Sequence, residues 1–217
     1  MKNTLRKEMK RLMPDSGLES IHGKFYMRFE LGGEGNSAPL DRITQATLRG
    51  TKIFNEVIGP GEVIVVIQEW KSNFFDPYKR NEQYLYKILG NIKLNKTKGP
   101  FEQTYFEIDK EGRKQEKVFN DPLECDILTT KTTLDFRQIE SIIRGIASVE
   151  MGEDPCVTQS VYFFSVERHT GFNIYDDRGC DVWANSLEVL RPAYVKLNSW
   201  ILNYNRREID KMFASSS

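Results

Sequence analysis

The chain has 217 residues, with 31 Lys and Arg against 31 Asp and Glu, so its formal net charge is zero. That balance excludes a uniformly basic nucleic-acid binder and an acidic tail. Hydrophobic residues make up 39% and aromatic residues 12%, which is typical of a soluble globular protein rather than a disordered one. A chain of this length buries roughly 70% of its unfolded surface, so its core needs no metal or disulfide.

The cysteines and the apolar runs predict a cytoplasmic protein without membrane contact. Cys125, Cys156 and Cys180 are odd in number and widely spaced, which fits neither a disulfide framework nor a zinc site. The longest apolar run is 63–67, far short of the roughly 20 residues that cross a bilayer. The basic residues before Met13 precede no apolar segment of signal-peptide length.

The first half of the chain predicts helices and strands in alternation. In chain order these are a short amphipathic helix over 1–13, a strand over Lys24–Leu31, a helix over Leu40–Ile58 capped by Asp41, a strand near 62–70, a helix over Tyr78–Leu89, and a loose basic exit over Gly90–Pro100. The strand at Lys24–Leu31 alternates apolar and polar residues, so one face lies in the core. Residues 63–67 are apolar on both faces, which predicts a central strand.

The second half predicts hairpins around two helices. In order these are a hairpin of Phe101–Ile108 with Arg113–Phe119, a strand over Glu124–Leu134, a helix from the cap Asp135 to Val149, a central strand over 157–166, a hairpin over Gly171–Ala184, and a long C-terminal helix. The helix after Asp135 has Gln138 at the capping-box position, and its predicted inner face is Phe136, Ile139, Ile142, Ile143 and Ile146. The C-terminal helix has Pro192 in its first turn, and its apolar stripe is Leu190, Tyr194, Leu197, Trp200, Ile201 and Tyr204. We expect one α+β domain over 1–217, with a mixed, largely antiparallel sheet and helices packed on it. A division into 1–100 and 101–217 is the alternative.

The densest polar motif is the turn of the last hairpin, around Asp176 and Asp177. A three-residue loop at 177–179 would place Ile174 opposite Val182, with the apolar residues on one side of the hairpin. Asn173, Tyr175, Asp181 and Trp183 would then lie on the other side. The acids fit a turn stabilised by its own side chains, a surface for a basic partner, or a divalent cation site. The cation site is disfavoured, because this register points Asp176 away from Asp181.

No catalytic constellation is evident in the sequence. His22 and His169 are the only histidines, and both fall in polar loops or turns, where a solvated side chain is usual. The glycines at 32–35 follow a strand but match neither a P-loop nor a dinucleotide fingerprint. We therefore assign no catalytic residue, no cofactor and no metal ligand.

Charge is segregated along the chain. Residues 71–98 hold seven basic residues against two acids, interleaved with aromatic residues, whereas 120–154 hold eight acids against three basic residues. Basic and aromatic side chains together suit nucleic acid or an acidic protein face, and they also suit an ordinary solvated helix. The zero net charge disfavours nucleic acid.

Four segments resemble the bacterial domain-of-unknown-function family 3885. They are FNIYDDRGCDV at Phe172–Val182, LNSWILNYNR at Leu197–Arg206, Ile209-Asp210, and RFELG at Arg28–Gly32. The resemblance covers most of the chain and implies a small intracellular bacterial protein, with no established reaction, cofactor or catalytic residue. Asn203 and Asn205 stand where the family pattern has acids, which would weaken an acidic contact surface there.

From these features we predict a non-enzymatic protein that binds another protein, for example an immunity-type or antitoxin-like inhibitor. The predicted contact residues are Tyr175, Asp177, Arg178, Asp181 and Trp183 in the hairpin, with Arg28 and Glu30 as secondary candidates. Aromatic and arginine side chains carry most interface energy. The alternative is a metal-dependent enzyme acting on nucleic acid or nucleotides through Asp176, Asp177 or Asp181, with 71–98 holding phosphate. A third option is an oligomer that uses the terminal helix as its seam.

Overall fold

The computed structural model describes residues 25–33, 38–70, 83–98, 104–108, 114–118 and 125–214. The strands in these ranges are β1 (Phe25–Glu30), β2 (Glu62–Trp70), β3 (Asn95–Lys98), β4 (Thr104–Ile108), β5 (Lys114–Val118), β6 (Cys125–Thr133), β7 (Ser160–Ser165), β8 (Thr170–Ile174) and β9 (Gly179–Ala184). The α-helices are α1 (Pro39–Val57), α2 (Tyr84–Leu89), α3 (Phe136–Ser148), α4 (Leu187–Lys196) and α5 (Asn203–Ala214). A 3₁₀ helix over Asn198–Trp200 separates the last two. The predicted helix over 1–13 lies outside the described residues. So do residues 78–82, at the start of the predicted helix over Tyr78–Leu89.

Seven strands form one sheet in the order β1-β9-β8-β7-β2-β6-β3, and β4 and β5 form a separate two-stranded sheet. Every pairing between described strands is antiparallel. Helices and an antiparallel sheet make the protein α+β, as predicted from the sequence. The segment predicted as a loose exit holds the edge strand β3, paired with β6.

Strand β2 is buried on both faces and lies between β7 and β6, which confirms the prediction from its apolar run. Val63, Val65 and Ile67 belong to the core beneath the helices. Ile64 and Val66, which alternate with them, are fully buried on the opposite face. A strand with both faces covered has no polar side to present, which is why its sequence lacks the usual alternation.

Helices α1 and α3 pack together on one face of the sheet. A Cβ at Gly50 of α1 would lie 2.9 Å from Ile143 of α3, so glycine permits this close approach. The capping box of α3 is present: the Asp135 carboxylate accepts from the Gln138 N–H at 2.8 Å, and the Asp135 N–H donates to the Gln138 side chain at 3.0 Å. Phe136 is 57% exposed, so its predicted place on the inner face is wrong; it lies at the first helical position, before the first buried residue of α3.

The start of α1 also differs from the prediction. Its N-cap is Ala38, which makes no side-chain cap, and Pro39 occupies the first helical position. Proline is favoured there because its fixed φ suits the first turn and its missing N–H would have no partner. Asp41 therefore lies within the first turn, where its charge favours the positive end of the helix dipole.

The β8–β9 hairpin is formed as predicted, but its register differs by two residues. Ile174 lies opposite Cys180 instead of Val182, and the loop is 175–178. The reason is Gly179, which belongs to β9 because it pairs with Glu30 of β1. A shift of two residues keeps every side chain on its predicted face.

The predicted long C-terminal helix is divided into α4 and α5. Ile201 is extended at the break and forms an isolated bridge with Phe29 of β1, and the next N–H, of Leu202, donates to the Arg28 carbonyl at 2.9 Å. The backbone leaves the helix here because the edge of β1 offers it hydrogen bonds. Pro192 lies inside α4, in its second turn rather than its first.

Candidate binding surface at the hairpin tip

The loop between β8 and β9, residues 175–178, is the hairpin tip. Its backbone is folded by a local side chain, since the Asp176 carboxylate accepts from the Arg178 N–H at 2.7 Å. Asp favours turns for this reason. The Arg178 carbonyl accepts from the Leu31 N–H at 2.8 Å, so the tip is fixed against the end of β1.

The three acids of the tip region each bind a different arginine. Asp181 takes a two-point bond from Arg28, with Nε–Oδ1 at 2.7 Å and Nη2–Oδ2 at 3.1 Å. Asp176 accepts from Nε of Arg178 at 2.9 Å and also from its Nη2. The third, Asp177, accepts from Nε of the α1 residue Arg42.

The acids of these three ion pairs are buried in the protein. The side chains of Asp177, Asp176 and Asp181 are 1%, 7% and 11% exposed. A buried carboxylate needs a partner that is both charged and hydrogen-bonded, and each arginine supplies both. The three carboxylates therefore bind three separate arginines rather than converging on one point. Within the described residues no group of three or more His, Cys, Asp or Glu is placed to hold a metal ion.

The side chains exposed to solvent at the tip and on the neighbouring strand β1 include arginine and tyrosine. Tyr175 is 41% exposed, and the side chains of Arg178 and Arg28 are 63% and 36% exposed. The Arg28 guanidinium carbon lies 5.7 Å from the centre of the Tyr175 ring, within the range of a cation–π contact. Burial, together with the negative charge of Asp181, raises the pKa of the Tyr175 phenol, so it stays neutral. The hydrogen bond to Asp181 raises the pKa of Arg28, and the bond to Asp176 raises that of Arg178.

The structure separates the predicted contact residues into surface and interior. Tyr175 and Arg28 contact each other at the surface, and Glu30, two residues from Arg28, lies half-buried opposite Gly179. Arg178 is exposed separately, where it pairs with Asp176 and, at 3.5 Å, with Glu150. Asp181 lies beneath Arg28 as its counter-ion. Asp177 and Trp183 offer a partner no surface, because both are 1% exposed or less.

Trp183 has a structural role in the sheet. Its ring packs at 5.7 Å from the ring of Phe164, in an edge-to-face arrangement. It also covers Gly171 of the neighbouring strand so closely that a Cβ there would overlap the indole. An aromatic ring over a strand glycine is a known way to fill the gap that the missing side chain leaves.

Sequence reasoning missed the polar face of α1 that supports the tip. Arg42, Gln45 and Arg49 are spaced three and four residues apart and so share one side of the helix. Gln45 donates to the Leu31 carbonyl at 3.2 Å, and Arg49 to the Glu30 carbonyl at 3.3 Å. A polar stripe at helical spacing, directly after a glycine loop, is the signal that would have located them.

The family of the chain follows from a match over almost its whole length. The model of a family described as a domain of unknown function (DUF3885) matches residues 5–205. The chain belongs to this family. The hairpin tip and all of its arginine partners lie inside the DUF3885 region.

Among curated proteins, the Uncharacterized protein YnaE of Bacillus subtilis (strain 168) is 41% identical over 44 residues. That match covers 20% of this chain and 21% of YnaE, so it spans about a fifth of each. No solved structure matches this DUF3885 chain. None of its described helices has the length and apolar character needed to span a membrane.

Proposed function

We propose that this protein is a non-enzymatic protein-binding module whose contact surface is centred on the hairpin tip. The observation that carries the proposal is the exposed contact between Tyr175 and Arg28, with the exposed Arg178 in the same loop as Tyr175 and each arginine bound to a buried acid. Tyrosine and arginine are the side chains that most often dominate interface energy. Glu30 lies at the rim of the surface, and Asp181 orients Arg28 from below.

The surface is already ordered before a partner arrives. Each exposed arginine is held by a carboxylate, and Tyr175 packs so closely over Gly179 that a Cβ there would overlap its hydroxyl. Side chains that are fixed in advance lose little conformational entropy on binding. The tip is therefore suited to a specific contact.

The described cysteines and histidine favour binding over catalysis. Cys156 and Cys180 are both buried. Burial raises the pKa of the Cys180 thiol well above its usual value, which disfavours the reactive thiolate. His169 is exposed in a turn. The three widely spaced cysteines also fit the reducing cytoplasm, where we propose that the protein acts.

We propose further that binding blocks the partner, as an immunity-type or antitoxin-like inhibitor does. The opposed charges of 71–98 and 120–154 in the sequence support this, since charge segregation speeds and orients association with a charged protein. A rigid tip that occludes a partner's site needs no chemistry of its own.

Site-specific photo-crosslinking in the native host tests the proposal. A photoreactive phenylalanine analogue replaces Tyr175 in one strain and Phe136 in another. Phe136 is the matched control, because it is 57% exposed and lies at the start of α3, about 20 Å of helix away from Glu150, which pairs with Arg178 of the tip. We expect one protein to be crosslinked in stoichiometric yield from position 175 and not from position 136. Equal labelling from both positions, or none from position 175, would contradict the proposal.

A further inference from the structure

A second group of cations surrounds an aromatic ring beside the same strand end. Arg49 and Lys52 lie three residues apart on α1, so both side chains extend from one side of the helix. The Arg49 guanidinium carbon is 5.3 Å from the centre of the Trp200 ring, and the Lys52 ammonium is 5.2 Å from it. We name Arg49, Lys52 and Trp200 the indole cluster.

The ring of the indole cluster is held in place by the chain around it. Trp200 ends the 3₁₀ helix between α4 and α5. Arg206 binds that turn through three bonds, to the Asn198 side chain at 3.0 Å, the Asn198 carbonyl at 2.8 Å and the Ile201 carbonyl at 3.1 Å. The break in the predicted C-terminal helix therefore fixes the indole where the two cations meet it.

The positive charge of the indole cluster is not neutralised within the described part of the chain. Neither Arg49 nor Lys52 forms an ion pair there, and Arg49 donates only to the Glu30 carbonyl. By contrast, the tip arginines each bind a carboxylate, and Glu56 on the same helix binds Lys196 at 2.8 Å. Two cations beside one ring repel each other, so an external anion would lower their energy.

The indole cluster lies next to the hairpin tip. Glu30, whose carbonyl binds Arg49, is two residues from Arg28 in β1, a distance of about 7 Å along a strand. Arg28 is the residue that stacks on Tyr175 of the tip. Both sites therefore contact the end of β1, but Arg28 and Tyr175 project from the face of the sheet opposite α1, so a partner that contacts both sites extends around this edge of the sheet.

We propose that the indole cluster binds an acidic segment of the protein partner, a run of Asp and Glu side chains. The inference rests on the proposed function and adds the chemistry of the partner. A protein is favoured over single-stranded nucleic acid, because the cations already occupy positions over the Trp200 ring on which a base would stack. Glu30 and the zero net charge also oppose a phosphate backbone.

Nuclear magnetic resonance on the full chain tests this with defined probes. The indole N–H of Trp200 is assigned with the variant Trp200→Phe, and the protein is titrated with a twelve-residue Asp/Glu peptide. A Lys peptide of equal length, inorganic phosphate and oligothymidylate are the comparison probes. We expect the acidic peptide to shift the Trp200 signal, and Arg49→Gln with Lys52→Gln to weaken its binding about tenfold.

The matched control is Arg137→Gln with Arg144→Gln, which removes two exposed cations of α3 that lie outside both the indole cluster and the basic segment 71–98, and it should leave the affinity unchanged. An unmoved Trp200 signal, or equal loss in both double variants, would overturn the inference. Tighter binding of oligothymidylate or of phosphate would assign the cluster to nucleic acid or to a simple anion instead. Crosslinking from position 175 with no response to the acidic peptide would refute the acidic partner alone. The reverse result would refute the tip as the contact surface alone.

Discussion

At the scale of single residues, the tip shows how buried charge is tolerated. Asp177 has almost no exposed surface, yet it carries a carboxylate whose Oδ2 accepts from Arg42. Its other oxygen, Oδ1, is buried and has no hydrogen-bond partner in the described structure. The arginine is therefore the main group that offsets the lost hydration of this acid, and its removal should be costly.

We expect Arg42→Ala to lower the free energy of unfolding by about 2 kcal/mol, because it leaves a buried carboxylate unpaired. Urea denaturation followed by circular dichroism measures this. Lys196→Ala is the matched control: it breaks the exposed pair with Glu56 and should cost less than about 0.5 kcal/mol. Adding Asp177→Asn to Arg42→Ala should recover part of the loss. Equal costs for Arg42→Ala and Lys196→Ala would contradict this account.

The acids of the tip were evident from the sequence, but their partners were not. Asp176 folds its own turn, and that role follows from local residue type. Arg28 and Arg42 lie 153 and 135 residues from the acids that they bind, so no local spacing connects them. Arg49 and Trp200 are likewise far apart in the sequence and meet only in the folded protein. Long-range ion pairs and cation–π contacts depend on the order of strands, which a sequence pattern does not specify.

At the scale of elements, local signals decided most boundaries. The apolar run of β2 and the capping box of α3 were both read from a few neighbouring residues, and the structure confirms both. The hairpin register and the division of the C-terminal helix were not predicted correctly. Both depend on β1: Gly179 joins β9 by pairing with Glu30, and Ile201 leaves the helix to meet Phe29.

We expect Asp135→Ala to destabilise the protein by about 1 kcal/mol, since its carboxylate satisfies an N–H at the start of α3. Thermal or urea unfolding measures the change. The control is Ser186→Ala at the start of α4, where the side chain makes no cap bond, and its effect should be smaller. A larger loss for Ser186→Ala would show that the capping box contributes little.

At the scale of the whole molecule, one antiparallel sheet brings the front and back of the chain together. Strand β1 pairs with β9, so Arg28 and Glu30 lie beside the hairpin that was predicted as the contact region. The sequence indicated the α+β class but not this strand order, because strand patterns state how a strand is buried and not which strand it joins. That 1–217 form one domain stays a prediction.

Because each acid of the tip is bound by a different arginine, we expect divalent cations to leave thermal stability unchanged. A ligand that binds only the folded state raises the melting temperature. Differential scanning fluorimetry with millimolar Mg²⁺ or Mn²⁺, and with a chelator as the control, should give melting temperatures within about 1 °C of each other. A rise of several degrees that is abolished by Asp181→Asn would support the alternative of a metal-dependent enzyme.

The ion pair between Arg28 and Asp181 also bears on how the protein is made. Residue 28 leaves the ribosome long before residue 181 is synthesised, and the two are separated by 153 positions. Until then the arginine has no counter-ion, and β1 has no neighbouring β9. The edge of the sheet that carries Tyr175 and Arg28 must therefore assemble late. A nascent chain that is arrested before β9 emerges cannot present the complete surface to a partner.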